Sequence, residues 1–166
     1  MRSLVLIAHN LRSTHNVGSL LRTAEGLGVE HVYLTGYTPY PLQASETRLP
    51  HHAQKIDAAI HKTALGAEQS QAWTYVADIT PVLERLSTEG YTLAGLEQTA
   101  QSIPLPSYHP PDRIAIVLGR EVEGIEPELL QQLSVHLEIP MFGRKESYNV
   151  VQAAAMALYH CRFSPM

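Results

Sequence analysis

Six short apolar runs, Leu4–Ala8, His31–Thr35, Trp73–Val76, Tyr91–Leu96, Arg113–Leu118 and Val135–Ile139, alternate along the chain with stretches of helical periodicity. Runs of this length, rich in Val, Ile, Leu and Tyr, suit strands and are too short for helices; a strand apolar at nearly every position is buried on both faces. The alternation predicts an α/β fold, a mostly parallel sheet with helices on both faces. The first helix is expected to be capped by Asn16, to carry Val17, Leu20, Leu21, Ala24 and Leu27 at helical spacing, and to stop at Gly28. Further helices are expected over His51–Ala64, where the pattern is weak, over Pro81–Glu89, Glu126–Leu133 and, longest, Asn149–Phe163. Pro81 suits a first helical turn. Gly36–Pro50, with three prolines, and the stretch holding Pro104, Pro106, Pro110 and Pro111 read as loops.

A chain of 166 residues, 45% apolar and 17% charged, fits one ordinary domain, and no composition break, repeat or low-complexity tract divides it. A single domain over 1–166 is expected. No apolar run approaches the roughly 20 residues that cross a bilayer, and the opening apolar stretch is too short for a signal peptide, so no membrane association and a cytoplasmic location are expected. The formal charge of −4 gives no whole-molecule attraction to a polyanion, which would have to meet a local basic patch. Cys161 is the single cysteine and reads as a buried structural thiol near the end of an apolar helix. Nine histidines raise the question of a metal, but no two lie three or four apart on a helix, and no metal site is expected.

Two glycine-hinged loops carry the chemistry. Gly119-Arg-Glu-Val-Glu-Gly124 follows the strand Arg113–Leu118, and Gly143-Arg-Lys-Glu-Ser-Tyr-Asn149 opens onto an Ala-rich helix. Without a side chain, Gly119 lets backbone approach a ligand, while Gly124 and Gly143 can take turns closed to other residues. Glu121 can hold a loop amide, pair with an arginine or accept a hydrogen bond from substrate. Ser147 and Asn149 both suit the cap of the last helix. Neither Gly-x-Gly-x-x-Gly nor a Gly-Lys-Ser/Thr loop occurs, which argues against dinucleotide and nucleoside-triphosphate enzymes.

Three segments in order, His9-Asn10-Leu-Arg12-Ser-Thr-His-Asn16-Val-Gly18-Ser-Leu-Leu-Arg22-Thr-Ala, Val117-Leu-Gly119-Arg-Glu121-Val-Glu-Gly124-Ile and Ile139-Pro-Met-Phe-Gly143-Arg-Lys-Glu-Ser147-Tyr-Asn149-Val, resemble the three motifs of the SpoU (TrmH-type) RNA 2′-O-methyltransferases of the SPOUT superfamily. The resemblance implies a parallel sheet whose C-terminal third is tied in a deep trefoil knot, an exception to the rule against threaded loops. It also implies S-adenosylmethionine bound in the knot, and a homodimer whose active site draws on both subunits. On the same resemblance Gly119, Ile139 and Tyr148 line the methyl donor, with Leu96 a neighbour at the end of its strand. Arg22, Glu121, Ser147 and Asn149 are the expected catalytic set, and Asn10, Arg12, Asn16 and Arg144 the expected RNA contacts. The chain departs from the family in carrying Arg120 where a small polar residue is usual and Tyr148 where leucine is frequent.

Transfer of a methyl group from a sulfonium to a ribose hydroxyl needs the hydroxyl positioned and its proton removed. Orientation alone contributes up to about 7 to 11 kcal/mol in favourable cases. Deprotonating a free arginine at neutral pH costs on the order of 7 kcal/mol, so Arg22 is expected to act as a guanidinium that holds phosphate and stabilises the developing alkoxide. The small residues of the last helix suit a partner subunit, whose Arg12, Arg22, Arg48, Lys55, Arg144 and Lys145 would build the missing basic patch. With no added RNA-binding domain expected, recognition falls to the catalytic domain or a helper protein, which favours tRNA over rRNA. The alternatives are an rRNA 2′-O-methyltransferase, a catalytically silent knotted RNA-binding protein and a base-modifying relative.

Overall fold

The computed structural model describes residues 1–165. In chain order the elements are β1 (Ser3–His9), α1 (Thr14–Gly26), β2 (His31–Thr35), α2 (Pro50–Ala64), α3 (Ala67–Ser70), β3 (Trp73–Val76), α4 (Thr80–Thr88), β4 (Thr92–Leu96), β5 (Ile103–Pro104), a 3-10 turn over Leu105–Ser107, β6 (Arg113–Leu118), α5 (Pro127–Leu130), β7 (Val135–Glu138) and α6 (Val150–Phe163). The strands form one seven-stranded sheet in the order β3-β2-β1-β6-β4-β7-β5, with every neighbouring pair parallel. All strand carboxyl ends therefore share one edge.

The central strands β1 and β6 are apolar because both of their faces are covered. Successive side chains point to opposite faces. On one face Leu4, Leu6 and Ala8 of β1 and Ile114 and Ile116 of β6 meet Val17, Leu20, Leu21 and Ala24 of α1 and Ala154, Ala157, Leu158 and Cys161 of α6. On the other, Val5 and Ile7, Ala115 and Val117 meet Val82, Leu83 and Leu86 of α4 and Leu129 of α5. The expected helices-on-both-faces architecture is the observed one.

Three local expectations are corrected. Asn16 does not cap α1: Ser13 does, its hydroxyl accepting the Asn16 N–H at 3.1 Å, which leaves Asn16 inside the first turn and 9% exposed. The helix expected over Glu126–Leu133 shrinks to Pro127–Leu130, with Glu126 at its N-cap. The proline-rich connection contains β5, paired to the edge of β7, where a proline is tolerated because one side of an edge strand needs no partner. The helix expected over His51–Ala64 is present as α2, 15 residues with Pro50 in its first turn, stopped by Leu65 in the left-handed region.

Cys161 is fully buried, and burial pushes its thiol up to about 12. Around it, two arginines fasten α6 to the start of the chain. Arg2 donates to the carbonyls of Pro110, Cys161, Ser164 and Pro165, and Arg162 to those of Leu27, Arg2 and Gly28 at 2.9, 2.5 and 2.6 Å. These groups satisfy chain ends and the turn after α1 that no ladder reaches. Replacement Arg162→Ala is expected to destabilise the fold by roughly 1.5–3 kcal/mol, the usual worth of hydrogen bonds to a charged group, read as a lower denaturant midpoint with unchanged slope.

Candidate active site at the strand carboxyl ends

The carboxyl ends of β4, β6 and β7 open onto one cleft, walled by Leu96 and Glu97, by Gly119 to Gly124, by Glu138 and Ile139, and by Glu146 to Tyr148 in front of α6. In parallel α/β sheets this edge is where ligands bind, because the loops there can diverge around a crevice. Gly119 is required by packing: a Cβ would lie 2.5 Å from the Gly124 carbonyl carbon and from the Ile125 nitrogen. The loop turns back on itself through reciprocal Arg120 and Gly124 backbone hydrogen bonds, both 3.1 Å. Gly124 closes the turn with φ of +74°, over Glu97, whose carboxylate accepts the Ile125 N–H at 2.9 Å.

Glu121 ties this loop to the start of α1. Its carboxylate accepts the backbone N–H groups of Arg12 and Ser13, each at 3.1 Å, and Nδ2 of Asn16 at 3.4 Å. Burial opposes the charge more than any other single influence. The Ser13, Glu121 and Arg12 amides together with Asn16 outweigh it, and the carboxyl ends below its ordinary range. Asn16 in turn accepts from Asn149 Nδ2 at 3.4 Å, and Asn149 Oδ1 caps α6 by accepting the Val151 N–H at 2.8 Å. One chain of contacts thus joins three segments remote in sequence.

A second polar cluster lies behind the same loop. Asn10, with φ of +57°, accepts the Tyr37 N–H and donates to Glu126 Oε1 at 2.9 Å. Arg120 Nε stands 3.6 Å from that oxygen, and both Arg120 Nε and Glu126 Oε2 are buried without a hydrogen-bond partner. His9 Nε2 is 3.8 Å from Glu126 Oε2, and burial lowers the pKa of the imidazole. Burial also works most strongly against the Glu126 charge, but its own amide, Asn10, His9 and Arg120 prevail and the carboxyl is lowered.

Of the residues singled out in the sequence, Leu96, Gly119, Glu121, Ile139, Ser147 and Tyr148 stand in the cleft wall. Asn16 and Asn149 adjoin it through Glu121, and Asn10 and Arg12 lie on the loop that Glu121 and Glu126 hold. Arg22 and Arg144 are not in the wall; both are exposed, and neither makes a side-chain hydrogen bond or ion pair among the described residues. Arg22 lies about 9 Å along α1 from Asn16 and a third of a turn around it. Ser147 does not cap α6, a place Asn149 takes alone. Gly143 has no left-handed backbone, and a Cβ there would meet nothing within 4 Å, so it needs no glycine. Ser13, Glu97 and Glu126 were not singled out. Ser13, a cap residue before a helix, carried a local signal, whereas Glu97 and Glu126 have partners visible only in three dimensions.

The chain is similar to curated proteins along most of its length. It is 34% identical over 161 residues to a tRNA (guanosine(18)-2′-O)-methyltransferase from Mus musculus, covering 94% of this chain and 9% of that protein. It is 30% identical to the 23S rRNA (guanosine-2′-O-)-methyltransferase of Neisseria meningitidis, covering 96% of this chain and 58% of that one, and 21% identical to a tRNA (guanosine(18)-2′-O)-methyltransferase of Aquifex aeolicus, covering 97% and 69%. It thus spans well under two thirds of the first two relatives. Among solved structures, an AdoMet-bound rRNA methyltransferase from Sinorhizobium meliloti superposes with a TM-score of 0.79 at 19% identity, over 96% of this chain and 56% of that one, which speaks to the fold. The A. aeolicus TrmH/SpoU tRNA modifying enzyme gives 0.78 at 19% identity, over 98% and 75%. With residues 3 to 159 matching the SpoU rRNA Methylase family model, the chain belongs to the SpoU rRNA methylase family.

Proposed function

We propose that the protein is an S-adenosylmethionine-dependent RNA methyltransferase that modifies a ribose 2′-hydroxyl, with tRNA as substrate. The carrying observation is the cleft itself: two backbone-walled loops after β6 and β7, locked through Glu121 to the start of α1. The guanosine 2′-O-methyltransferases similar to this chain act on tRNA in two cases and on rRNA in another, by their names. When bound, the donor supplies an electrophilic methyl group. Main-chain groups after Gly119 and Ile139, with Leu96 and Tyr148 beside them, would hold it. Threading of the C-terminal third into a trefoil knot belongs to the same reading, supported by the likeness in fold to an AdoMet-bound relative. An experimental structure with donor present tests the threading by tracing residues 140 to 163.

Arg22 bears on the acceptor. Its position outside the cleft of its own subunit and its lack of partners suit a guanidinium that completes the cleft of a second copy. There it would hold phosphate and stabilise the alkoxide as the hydroxyl proton leaves, while Ser147 and Asn149 orient the ribose and Asn10, Arg12, Asn16 and Arg144 contact the RNA. The exposed Tyr159 and Phe163, whose tilted rings lie 4.7 Å apart between centres on α6, support a homodimer through this helix.

Calorimetry is expected to show donor binding, and incubation with tRNA to yield 2′-O-methylated nucleoside by mass spectrometry. Methyl on the base, or methylation of rRNA alone, would revise the substrate. Arg22→Ala is expected to lower kcat by about 100-fold or more with donor affinity retained, the scale of losing one transition-state donor. Mixing inactive Arg22→Ala and Glu121→Ala chains should restore about a quarter of the activity if a twofold dimer shares its sites, and none if each chain is self-sufficient. The lowered Glu121 carboxyl sets an acid limit. Its stabilising contacts are complete above the ordinary carboxylate range and are lost as pH falls through its folded value. Glu121→Gln is therefore expected to remove that acid limb from kcat while reducing activity roughly 10-fold at neutral pH, since a neutral acceptor holds the amides less strongly.

A further inference from the structure

In a protein with 12 lysines and arginines against 16 acids, the cations most available to RNA are those not already engaged. Most are engaged. Arg2 and Arg162 bind carbonyls of the chain ends. Arg48, expected from sequence to join a basic patch, is held by Glu46 and by the carbonyls of Tyr40 and Pro41. Arg85 pairs with Glu89, Arg113 lies over the Tyr91 ring, Arg120 faces Glu126, and Arg12 leans on Glu123. Arg22, Lys55, Lys62, Arg144 and Lys145 are exposed and make no ion pair or side-chain hydrogen bond among the described residues.

Two of these five lie on α2. His51, Lys55, Ala58 and Lys62 are all exposed and recur at helical spacing, so they form one stripe about 16 Å long. The single acid of α2, Asp57, is turned to the preceding loop, where it accepts the Leu42 N–H at 2.8 Å. His61 is engaged by Glu68. The opposite face of α2 packs on α1: Gly18 of α1 sits against Ile60, Thr63 and Ala64, and Thr63 donates to the His15 carbonyl at 2.9 Å, so the stripe lies on the outer face of a helix whose carboxyl end meets the start of α1. The Lys62 end of α2 thus abuts the α1 turn whose Ser13 and Asn16 are gripped by Glu121.

We propose that the exposed α2 stripe of His51, Lys55 and Lys62 is a phosphate track, which carries the RNA strand flanking the target nucleotide around the carboxyl end of α2 toward the α1 start beside the cleft. This rests on the reading of the protein as an RNA methyltransferase. Lysines on a helix face contact the backbone without reading sequence, so the track contributes affinity and salt dependence and leaves the chemical step alone.

The test compares wild type, the double variant Lys55→Gln/Lys62→Gln and the control Arg113→Gln, whose arginine lies at the amino end of β6, on the opposite edge of the sheet. Binding of a tRNA transcript is measured by fluorescence anisotropy across potassium chloride concentrations, with donor binding by calorimetry and kcat at saturating RNA. The double variant is expected to bind RNA about 10-fold more weakly near 0.1 M salt, with the slope of log affinity against log salt reduced by about 1.5 to 2, as for two lost phosphate contacts. Donor affinity and kcat should hold. An unchanged slope in the double variant, or an equal reduction in the control, would overturn the track while leaving the methyltransferase reading standing. A wild-type protein that binds donor but no RNA overturns both.

Discussion

The carboxylate of Glu121 is the contact on which the site depends. A β-loop and a helix start more than a hundred residues apart in sequence meet at its oxygens, where two backbone amides and a side-chain amide converge. Backbone N–H groups at a helix start lack partners within the helix, and an ionised carboxylate is the strongest acceptor available to them. By satisfying them it fixes the loop after β1, and through Asn16 and Asn149 it fixes the start of α6 as well.

That lock works because the scaffold beneath it is stiff. β1 and β6 are buried on both faces, so the two loops they launch leave from strands that cannot shift without opening the core. The close fit at Gly119 and the Glu97 contact to Ile125 set the second loop's path. The pair Arg120 and Glu126 fits less well: at 3.6 Å, each leaves a buried atom without a partner. Unsatisfied buried polar atoms cost roughly 1–3 kcal/mol.

Much of this was legible in the sequence. β2, β3 and β6 have the expected limits because each is a short apolar run between turn residues. The cleft residues were legible because glycines after buried strands mark close backbone approach, and because three motifs in order resemble a known family. What escaped the reading was nonlocal or marginal. Asn16 and Ser13 both suit a cap, and the choice fell to Ser13 because Glu121 and Asn149 claim the Asn16 amide. β5 is two residues long and exists only because β7 offers it an edge.

The sequence by itself determined the α/β class, the faces of the helices and the glycine-hinged loops, since these follow from periodicity and from the backbone freedom of single residues. Tertiary structure alone decided which polar groups meet: that Glu121 grips the start of α1, that Arg48 is withdrawn into its own loop, and that Lys55 and Lys62 stay exposed on the outer face of α2. Hydrophobic burial is read from spacing along the chain because it is nondirectional. A hydrogen bond or ion pair needs two groups within about 3 Å, and that distance is set only when the sheet order brings remote segments together.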